Sequence, residues 1–502
     1  MAIGTAAMAA SALFAPDNTW RVMFMLYSGG FMSTGITLWW LFFSGLPWKT
    51  RLAGIGICLI AGVVGSYGAI RGVQFDGDMR PRFQWRWQPD PKAKTAEWLS
   101  KNSADSSVSD STVNFQLNEG DWSRYCGPIG SRIISEPQLE SPDWKSSPPA
   151  ELWRHPVGEA WSSFAVAGGR VFTQEQRGPA ECVTCYDAES GKQLWVHQDT
   201  ARYETAMGGI GPRATPTVTQ TAVYSLGATG LLNCLDPLSG TERWQRDILE
   251  DAGSQMIEWG MSGSPLIYDN LLIVDAGGEQ GRAVIAYRLE TGEIAWSSQN
   301  HKAGYAAPRI ETFGETDILI IFHGDGLLGM DPLTGERLWE YPWTNIYKIN
   351  VAQPLRFGDQ ILISSGYDSG CVLLDPTRLS DGRPAEVWAP QKSLKLKFNE
   401  AVQFGDYVYG LDDGILACID SRTGERSWKG GRYGFGQLLL WGDQILVQAE
   451  KGYVALVAAD PEEFKEITRF DALSNRTWNV PVVSQGRLYV RNADEAACFK
   501  LK

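Results

Sequence analysis

The chain has 502 residues, with 45 Lys and Arg against 58 Asp and Glu, so its formal net charge is −13 at pH 7. Nucleic-acid binding requires clustered Lys and Arg to neutralise phosphates, and this acidic composition argues against that class of protein. The 54 Gly and 21 Trp point instead to many tight turns and to a recurring aromatic position.

Two uncharged stretches near the N-terminus predict a membrane anchor. The N-terminal segment, residues 1–21, has no Lys or Arg before position 20 and so lacks the basic start of a signal peptide. No charged residue occurs in 22–48 or in 52–70, and each stretch reaches the ~20 residues that cross a bilayer. The short break "KTR" predicts two transmembrane helices within 22–71, a multi-pass helical hairpin with both chain ends on one side.

The flanks of this hairpin carry information on orientation. Lys49 and Arg51 in the short loop are outnumbered by arginines on the other side: Arg21, Arg71, Arg80, Arg82 and Arg86. Counted literally, the positive-inside rule places everything after the hairpin in the cytoplasm. Residues 72–120 form a juxtamembrane segment and a polar linker, in which "KNSADSSVSDSTVN" predicts a flexible tether.

A ten-residue unit recurs through the rest of the chain. It reads YDAESGKQLW (186–195), LDPLSGTERW (235–244), YRLETGEIAW (287–296), MDPLTGERLW (330–339) and IDSRTGERSW (419–428), with degenerate copies at 375–388 and 460–470. Successive copies lie about 40–50 residues apart, which is the period of a four-stranded propeller blade. The sequence therefore predicts an all-β propeller over residues 121–502.

The chemistry of the unit is that of a tight hairpin. An Asp side chain accepts hydrogen bonds in the turn, and a Gly supplies positive φ, so the Trp begins the outermost strand of the blade. The chain ends on "ACFKLK", a third strand without its Trp, and the missing outer strand is "ELWRHP" at 151–156. This closure gives eight blades. The predicted blade-docking residues are Trp153, Trp195, Trp244, Trp296, Trp339, Trp388, Trp428 and Phe470.

No metal site or catalytic triad is predicted. Cys182 and Cys185 form the one close cysteine pair, and neither a second pair nor a histidine accompanies them. The four histidines have no Ser or Cys partner at a triad spacing. We predict no catalytic residue.

The unit Ala/Cys-x-Asp-x-x-Ser/Thr-Gly-x-x-x-Trp, repeated around eight blades, resembles the pyrroloquinoline quinone (PQQ) repeat over residues 151–502. Two groups share this repeat: quinoprotein alcohol and sugar dehydrogenases, and the non-enzymatic BamB-type subunit of the outer-membrane protein assembly machinery. The segments "DWSRYCGP", "GPRATPTV", "LGATGLLNCLD" and "RTWNVPVVSQGRLYVR" are similar to membrane-anchored PQQ-like propellers of planctomycete type. The resemblance implies a periplasmic propeller on the cytoplasmic (inner) membrane, against the Lys and Arg count.

A recurring Pro near the start of each innermost strand aligns the residues that line the channel mouth. The candidate ligand residues are Trp161, Arg213, Tyr305, Gln353, Asn399, Glu400, Gln437 and Trp478. A quinoprotein needs a calcium ion, a carboxylate base and commonly a disulfide between adjacent cysteines. The chain has no Cys-Cys dipeptide, and Glu400 is the only acidic residue at the aligned positions, where calcium wants six to eight oxygens. Neither PQQ nor calcium is expected.

These observations predict a membrane-anchored, BamB-like, non-enzymatic scaffold that binds an envelope protein. Two alternatives stay open. One is a PQQ-dependent quinoprotein oxidoreductase, and the other is a periplasmic sensor of a ligand or carbohydrate. Because a shared fold does not fix function, the site has to choose among them.

Overall fold

The computed structural model describes residues 18–102, 115–128, 130–139 and 142–501. The chain divides into two compact units. The first comprises Met1–Lys94 with Ala206–Gly209, and the second comprises Thr95–Thr205 with Ile210–Lys502.

The first unit contains two consecutive helices, Asn18–Phe43 and Trp48–Ala69, followed by a hairpin of strands Ile70–Phe75 and Pro81–Trp85. Arg51 fastens the turn between the helices, since its guanidinium donates to the carbonyl oxygens of Leu41 (2.5 Å) and Leu46 (2.7 Å). The apolar side chains along both helices are exposed. A helical hairpin is therefore present.

Only one helix in the described part of the chain, Trp48–Ala69, is long and apolar enough to cross a membrane. The first helix, Asn18–Phe43, is longer but does not meet this requirement. The prediction of two membrane spans is thus supported for the second helix alone, and the multi-pass anchor is not supported.

Part of the predicted flexible linker is helical. Residues Pro91–Asn102 form a helix, with Pro in its first turn and an ion pair one turn apart between Lys101 and Glu97 (2.6 Å). Trp98 stacks on His155 with ring centroids 4.5 Å apart. Packing by one aromatic side chain thus orders a stretch that composition alone marks as a tether. Residues 103–114 of the linker lie outside the described residues.

The prediction of an eight-bladed propeller is confirmed. The described residues form eight antiparallel four-stranded sheets, which we number as blades 1–8. From the innermost strand outward, blade 1 comprises Ala165–Ala167, Arg170–Arg177, Ala180–Asp187 and Gln193–Asp199, and blade 2 comprises Thr217–Val218, Val223–Leu226, Leu231–Leu235 and Glu242–Asp247. Blade 3 comprises Leu266–Tyr268, Leu271–Asp275, Val284–Arg288 and Ile294–Ser298, and blade 4 comprises Arg309–Phe313, Thr316–His323, Gly326–Met330 and Arg337–Pro342. Blade 5 comprises Leu355–Phe357, Gln360–Ser365, Gly370–Ser380 and Arg383–Gln391, and blade 6 comprises Ala401–Phe404, Tyr407–Asp412, Ile415–Asp420 and Arg426–Arg432. Blade 7 comprises Gln437–Trp441, Gln444–Gln448, Tyr453–Ala458 and Glu466–Asp471, and blade 8 comprises Val482–Ser484, Arg487–Arg491, Glu495–Lys500 and Ala150–Pro156. A short helix, Ile248–Ala252, follows blade 2, and two-residue strands occur at Glu204–Thr205 and Gly209–Ile210.

Blade 8 closes the ring with strands from both ends of the propeller sequence. The strand Ala150–Pro156 pairs antiparallel with Glu495–Lys500, and Trp153 lies opposite Cys498. This pairing supplies the fourth strand of blade 8, so Glu495–Lys500 has a neighbour on each side in a complete sheet. Closure removes two strand edges that would otherwise be available for aggregation.

The aromatic residues of the repeat lie on the outermost strands, and six of the eight pack on the turn of the next blade: Trp153, Trp195, Trp244, Trp296, Trp388 and Trp428. A methyl group added to Gly191 would lie 2.7 Å from the Trp153 ring, and one added to Gly292 would lie 2.7 Å from the Trp244 ring. Both glycines have positive φ, 69° in each case. The indole N–H of Trp153 also donates to the Ala188 carbonyl oxygen (3.1 Å) in the same turn. The spacing of Gly and Trp in the repeat is therefore an inter-blade packing constraint.

Candidate functional site

A segment that precedes the strand Ala150–Pro156 in the chain enters the central channel of the propeller. We call residues 115–128 and 130–139 the channel strap. Its backbone is attached to the innermost strands of blades 1, 2 and 7 by five hydrogen bonds. Trp122 and Val166 exchange two (2.8 Å each), Val218 N donates to Ser123 O (2.8 Å), Leu440 N donates to Arg132 O (2.9 Å) and Ile134 N donates to Leu440 O (2.8 Å). Tyr125 and Cys126 of the strap also border residues of blades 3–5, which lie on the opposite side of the eight-bladed ring from blades 7, 8 and 1, so the strap passes across the channel.

Local sequence explains how the strap turns inside the channel. Asp121 accepts hydrogen bonds from the backbone N–H groups of Asn118 (2.7 Å) and Gly168 (2.8 Å), which fixes where the strap enters. Gly168 belongs to the turn after the innermost strand of blade 1, so entry is from the face where the innermost strands end. Cys126 and Gly127 both have positive φ, 63° and 85°, and reverse the chain direction.

Arg132 of the strap carries a buried charge that is fully engaged. Its side chain is 3% exposed, and its guanidinium lies 3.5 Å from the Glu400 carboxylate. It donates to the Tyr125 hydroxyl (2.9 Å), the Gln437 side-chain oxygen (3.2 Å), the Leu438 carbonyl oxygen (3.2 Å) and, through Nε, the Cys126 sulfur (3.2 Å). These contacts link the strap to blades 6 and 7.

The Glu400 carboxylate is held on both oxygens. Tyr125 donates its hydroxyl to Oε1 (2.9 Å), and the backbone N–H of Gln353 donates to Oε2 (2.6 Å). Burial raises the pKa of Tyr125 well above its usual value, and the neighbouring Glu400 charge adds to the effect, so Tyr125 remains a neutral donor. Glu400 therefore neutralises Arg132 of the strap, and both of its oxygens are engaged in structural contacts.

The predicted candidates Gln353, Glu400 and Gln437 thus lie together around Arg132. The Gln437 side chain receives a hydrogen bond from Arg132 and donates to the carbonyl oxygens of Phe398 and Trp478, at 3.0 Å each. Gln437 therefore connects the strap to the other candidate group, the aromatic residues.

Trp161 and Trp478 form that second group, and their rings pack directly against each other. Their ring centroids are 4.7 Å apart, and the buried Arg476 guanidinium lies 4.7 Å and 4.2 Å from the two rings. The Trp478 indole N–H donates to Glu450 (2.9 Å), and Phe398 lies 4.8 Å from the Trp478 ring. A planar ligand could stack here only if these contacts were broken.

The other three candidates do not join either group. Asn399 donates to the Leu411 carbonyl oxygen (3.0 Å) and supports the backbone of blade 6. The Arg213 guanidinium lies 4.2 Å from the Tyr203 ring centre, and burial lowers the pKa of Arg213 to about 10. The Tyr305 hydroxyl accepts the backbone N–H of Trp259 (3.3 Å).

Sequence reasoning missed the residues that occupy the channel from outside the repeat. Tyr125 and Arg132 precede the first blade, and Arg476 and Glu450 lie outside the aligned positions. The stretch "DWSRYCGP" (121–128) was the available signal, since a Trp, a Tyr, a Gly and a Pro follow directly on the polar linker and precede the first repeat.

One group among the described residues has the geometry of a metal site. Ligand atoms of His197, Asp199 and Glu242, on the outermost strands of blades 1 and 2, lie within 4.8 Å of one another. The two Asp199 oxygens already accept side-chain amide hydrogen bonds from Gln245 and Asn233, at 2.7 Å each. The carboxylate is satisfied without an ion, so the geometry alone assigns no metal.

The channel residues do not fit PQQ or calcium. Glu400 has both oxygens engaged, whereas calcium takes six to eight oxygen ligands. The cavity beside the strap has a volume of about 60 Å³, and pockets for organic ligands typically measure about 300–1,000 Å³.

Eight closed blades with the Gly and Trp repeat define a PQQ-repeat β-propeller. The chain belongs to the family described as outer membrane protein assembly factor BamB, whose model matches residues 143–258 and 180–430. A curated relative, outer membrane protein assembly factor BamB of Burkholderia pseudomallei (strain K96243), is 23% identical over 364 residues. That match covers 68% of this chain and 86% of the relative.

Solved structures of two kinds share the fold. BamB from Moraxella catarrhalis has a TM-score of 0.51 at 16% identity, covering 70% of this chain and 100% of that one. The quinohemoprotein alcohol dehydrogenase from Comamonas testosteroni has a TM-score of 0.55 at 14% identity, covering 82% and 84%. An assembly factor and a dehydrogenase are thus equally similar in fold, and the choice between functions depends on the site.

Proposed function

We propose that this protein is a membrane-tethered, non-enzymatic scaffold that binds another protein of the cell envelope. The observation that carries the proposal is the closed channel, in which the strap engages Glu400 and the aromatic residues pack on Arg476. The interior that a quinoprotein uses for chemistry is here given to structural contacts. Function is then left to the outer surface.

The face that carries the inter-blade connections is the docking surface in this proposal. Each connection runs from an outermost strand to the next innermost strand, so all connections share one face, opposite to the entry of the strap. Ile346 and Tyr347, between blades 4 and 5, are 77% and 47% exposed, and Met256, between blades 2 and 3, is 43% exposed. Exposed apolar loops of this kind suit protein docking.

A site-specific crosslinking experiment tests the docking surface. A photo-crosslinking residue at Ile346 should give a discrete adduct with one envelope protein in intact cells. The same residue at Leu379, which is 49% exposed on the third strand of blade 5, is the matched control and should give none. Equal labelling from both positions, or no adduct from Ile346 and Met256, would refute this surface.

The tether in this proposal is the helix Trp48–Ala69. The propeller lies in the periplasm in this proposal, because PQQ-type propellers generally work there. Deletion of residues 1–71 should move the protein from the membrane to the soluble fraction, because it removes the exposed apolar helices. A periplasm-dependent reporter fused to the C-terminus should be active. Retention of the truncated protein in membranes would contradict the tether, and an inactive reporter would contradict the location.

An activity assay separates the scaffold from the quinoprotein alternative. The full chain, supplied with PQQ, calcium, alcohols or aldoses and an artificial electron acceptor, should give no turnover above that of free cofactor. Turnover that disappears in Glu400→Gln but persists in Glu336→Gln, an exposed control, would overturn the scaffold proposal.

A further inference from the structure

The cavity beside the channel strap has an unusual lining for so acidic a chain. It lies between the strap and blades 2–5, and among the described residues its lining includes two arginines and no acidic side chain. The side chains used below are those of Arg124, Arg309, Ser264 and Gln353. A positive cavity inside a protein of net charge −13 does not follow from composition.

Arg124 reaches this cavity without a matching charge. The one side-chain hydrogen bond that Arg124 makes in the described structure is a long one, from Nε to the Gly127 carbonyl oxygen (3.4 Å), and no described carboxylate lies within ion-pair distance. Burial lowers the pKa of Arg124, and the nearby Arg309 charge lowers it further. Arg124 is partly buried, and a charge withdrawn from water is costly unless it is paired, so the cavity favours an anion.

Arg309 and two neutral side chains offer further donors. The Arg309 guanidinium pairs with Glu311 and donates to the Pro354 carbonyl oxygen (2.7 Å), but its Nε is buried without a partner. Ser264 accepts the backbone N–H of Thr215 (2.9 Å), which leaves its own hydroxyl proton available.

Gln353 completes the set. Its side-chain oxygen is buried without a partner, and rotation of the amide by half a turn presents the NH2 group instead. The unmatched groups on this cavity wall are thus donors, or can become donors.

We propose that this cavity binds a small oxyanion, held by Arg124 and Arg309 with Ser264 and Gln353 as further donors. Charge-assisted bonds to guanidinium groups are the strong class of hydrogen bond and favour phosphate, sulfate or carboxylate groups. The volume of about 60 Å³ admits such a group, since one water takes about 30 Å³. Because Arg124 belongs to the strap and Arg309 to blade 4, the bound anion fastens the strap across the channel. This site does not depend on the scaffold proposal.

The test measures the thermal stability of the full chain in detergent, freed of phosphate and sulfate. Inorganic phosphate should raise the Tm saturably, as expected for a ligand that binds the folded state only. Sulfate and acetate form parallel arms: a response to phosphate and sulfate alone assigns a tetrahedral anion, and a response to acetate as well assigns a carboxylate. Calorimetric titration gives the Kd directly.

The variants make the result specific to the cavity. Arg124→Gln should weaken phosphate binding at least about tenfold, the loss expected for one charge-assisted bond. Without phosphate its Tm should not fall, because an unmatched charge is removed. Arg422→Gln, at an exposed arginine, should bind as the wild type does.

If Arg124→Gln fails to fold, Ser264→Ala provides the second variant and should weaken binding in the same titration. The proposal is overturned if none of the three anions produces a saturable rise, or if the folded cavity variant keeps the wild-type affinity.

Discussion

Replacing Arg132 with Met tests whether the channel strap is held by a buried charge pair. The Arg132 and Glu400 side chains are 3% and 5% exposed, and their charged atoms are 3.5 Å apart. The substitution deletes four hydrogen bonds from the guanidinium and leaves the Glu400 carboxylate buried beside Tyr125 and the Gln353 backbone. Removing one partner of a buried pair costs about 3–5 kcal/mol.

The double variant Arg132→Met/Glu400→Gln isolates the charge interaction. Here both charges are absent, and replacing both members of a buried pair is often close to neutral. We therefore expect the double variant to be more stable than Arg132→Met alone, with a coupling energy of about 2 kcal/mol. The assay is urea unfolding of the full chain in detergent, followed by Trp fluorescence, with limited proteolysis of residues 115–139 as a local readout.

Arg422→Met is the matched control, since Arg422 lies at the surface beside Asp420 and Asp406 and should leave the urea midpoint unchanged. The reasoning is refuted if Arg132→Met unfolds at the wild-type midpoint. It is also refuted if the effects of the two single substitutions simply add in the double variant.

Three further predictions concern the propeller as a whole. Gly292→Ala should destabilise the protein by about 2–4 kcal/mol, because the added methyl group combines positive φ with a clash against Trp244. Gly405→Ala, where φ is also positive but the space is open, should cost about 1 kcal/mol in the same urea assay. Equal costs for the two variants would contradict the packing role of Gly292. Burial lowers the pKa of His155 from 6.5 to about 4, so the unfolded chain binds the proton more readily. The wild-type protein should therefore lose about 3 kcal/mol of unfolding free energy through His155 as the pH falls from 6.5 to 4, and the His155→Gln variant should lose less over this range. Identical pH profiles of stability for the two proteins would contradict this role of His155. Deletion of residues 485–502 removes two strands of blade 8 and should abolish the cooperative calorimetric transition, and a melt like that of the intact protein would disprove the closure.

The repeat made the fold predictable because its information is local. Asp187 and Gly191 form the turn within a few residues of each other, and the Trp of the unit follows at a fixed distance. The closure by Trp153 was also predictable, since the chain ended on a strand that lacked its partner. The membrane helices were only half predictable, because hydropathy grades a stretch continuously and Asn18–Phe43 falls below what a span requires.

The candidate site was less predictable, because alignment of the blades locates backbone positions and not the partners of side chains. Glu400 was predicted from the sequence as the acidic residue of the ring, but its partners, Tyr125 and Arg132, come from a segment without the repeat. The pairing of Trp161 with Trp478 across Arg476 likewise depends on residues from both ends of the propeller.

The sequence by itself determined the number of blades, their turns and the aromatic contacts between them, because each of these is written within one period and repeated. The tertiary structure alone decided what fills the channel. Residues 115–139 lie far from blades 6 and 7 in the chain, and no periodicity connects Arg132 with Glu400. A buried charge is costly unless folding places an opposite charge beside it, and here folding pairs Arg132 with Glu400. As a result, candidate ligand residues of the channel make structural contacts, and a cavity lined by Arg124 and Arg309 lies beside the strap.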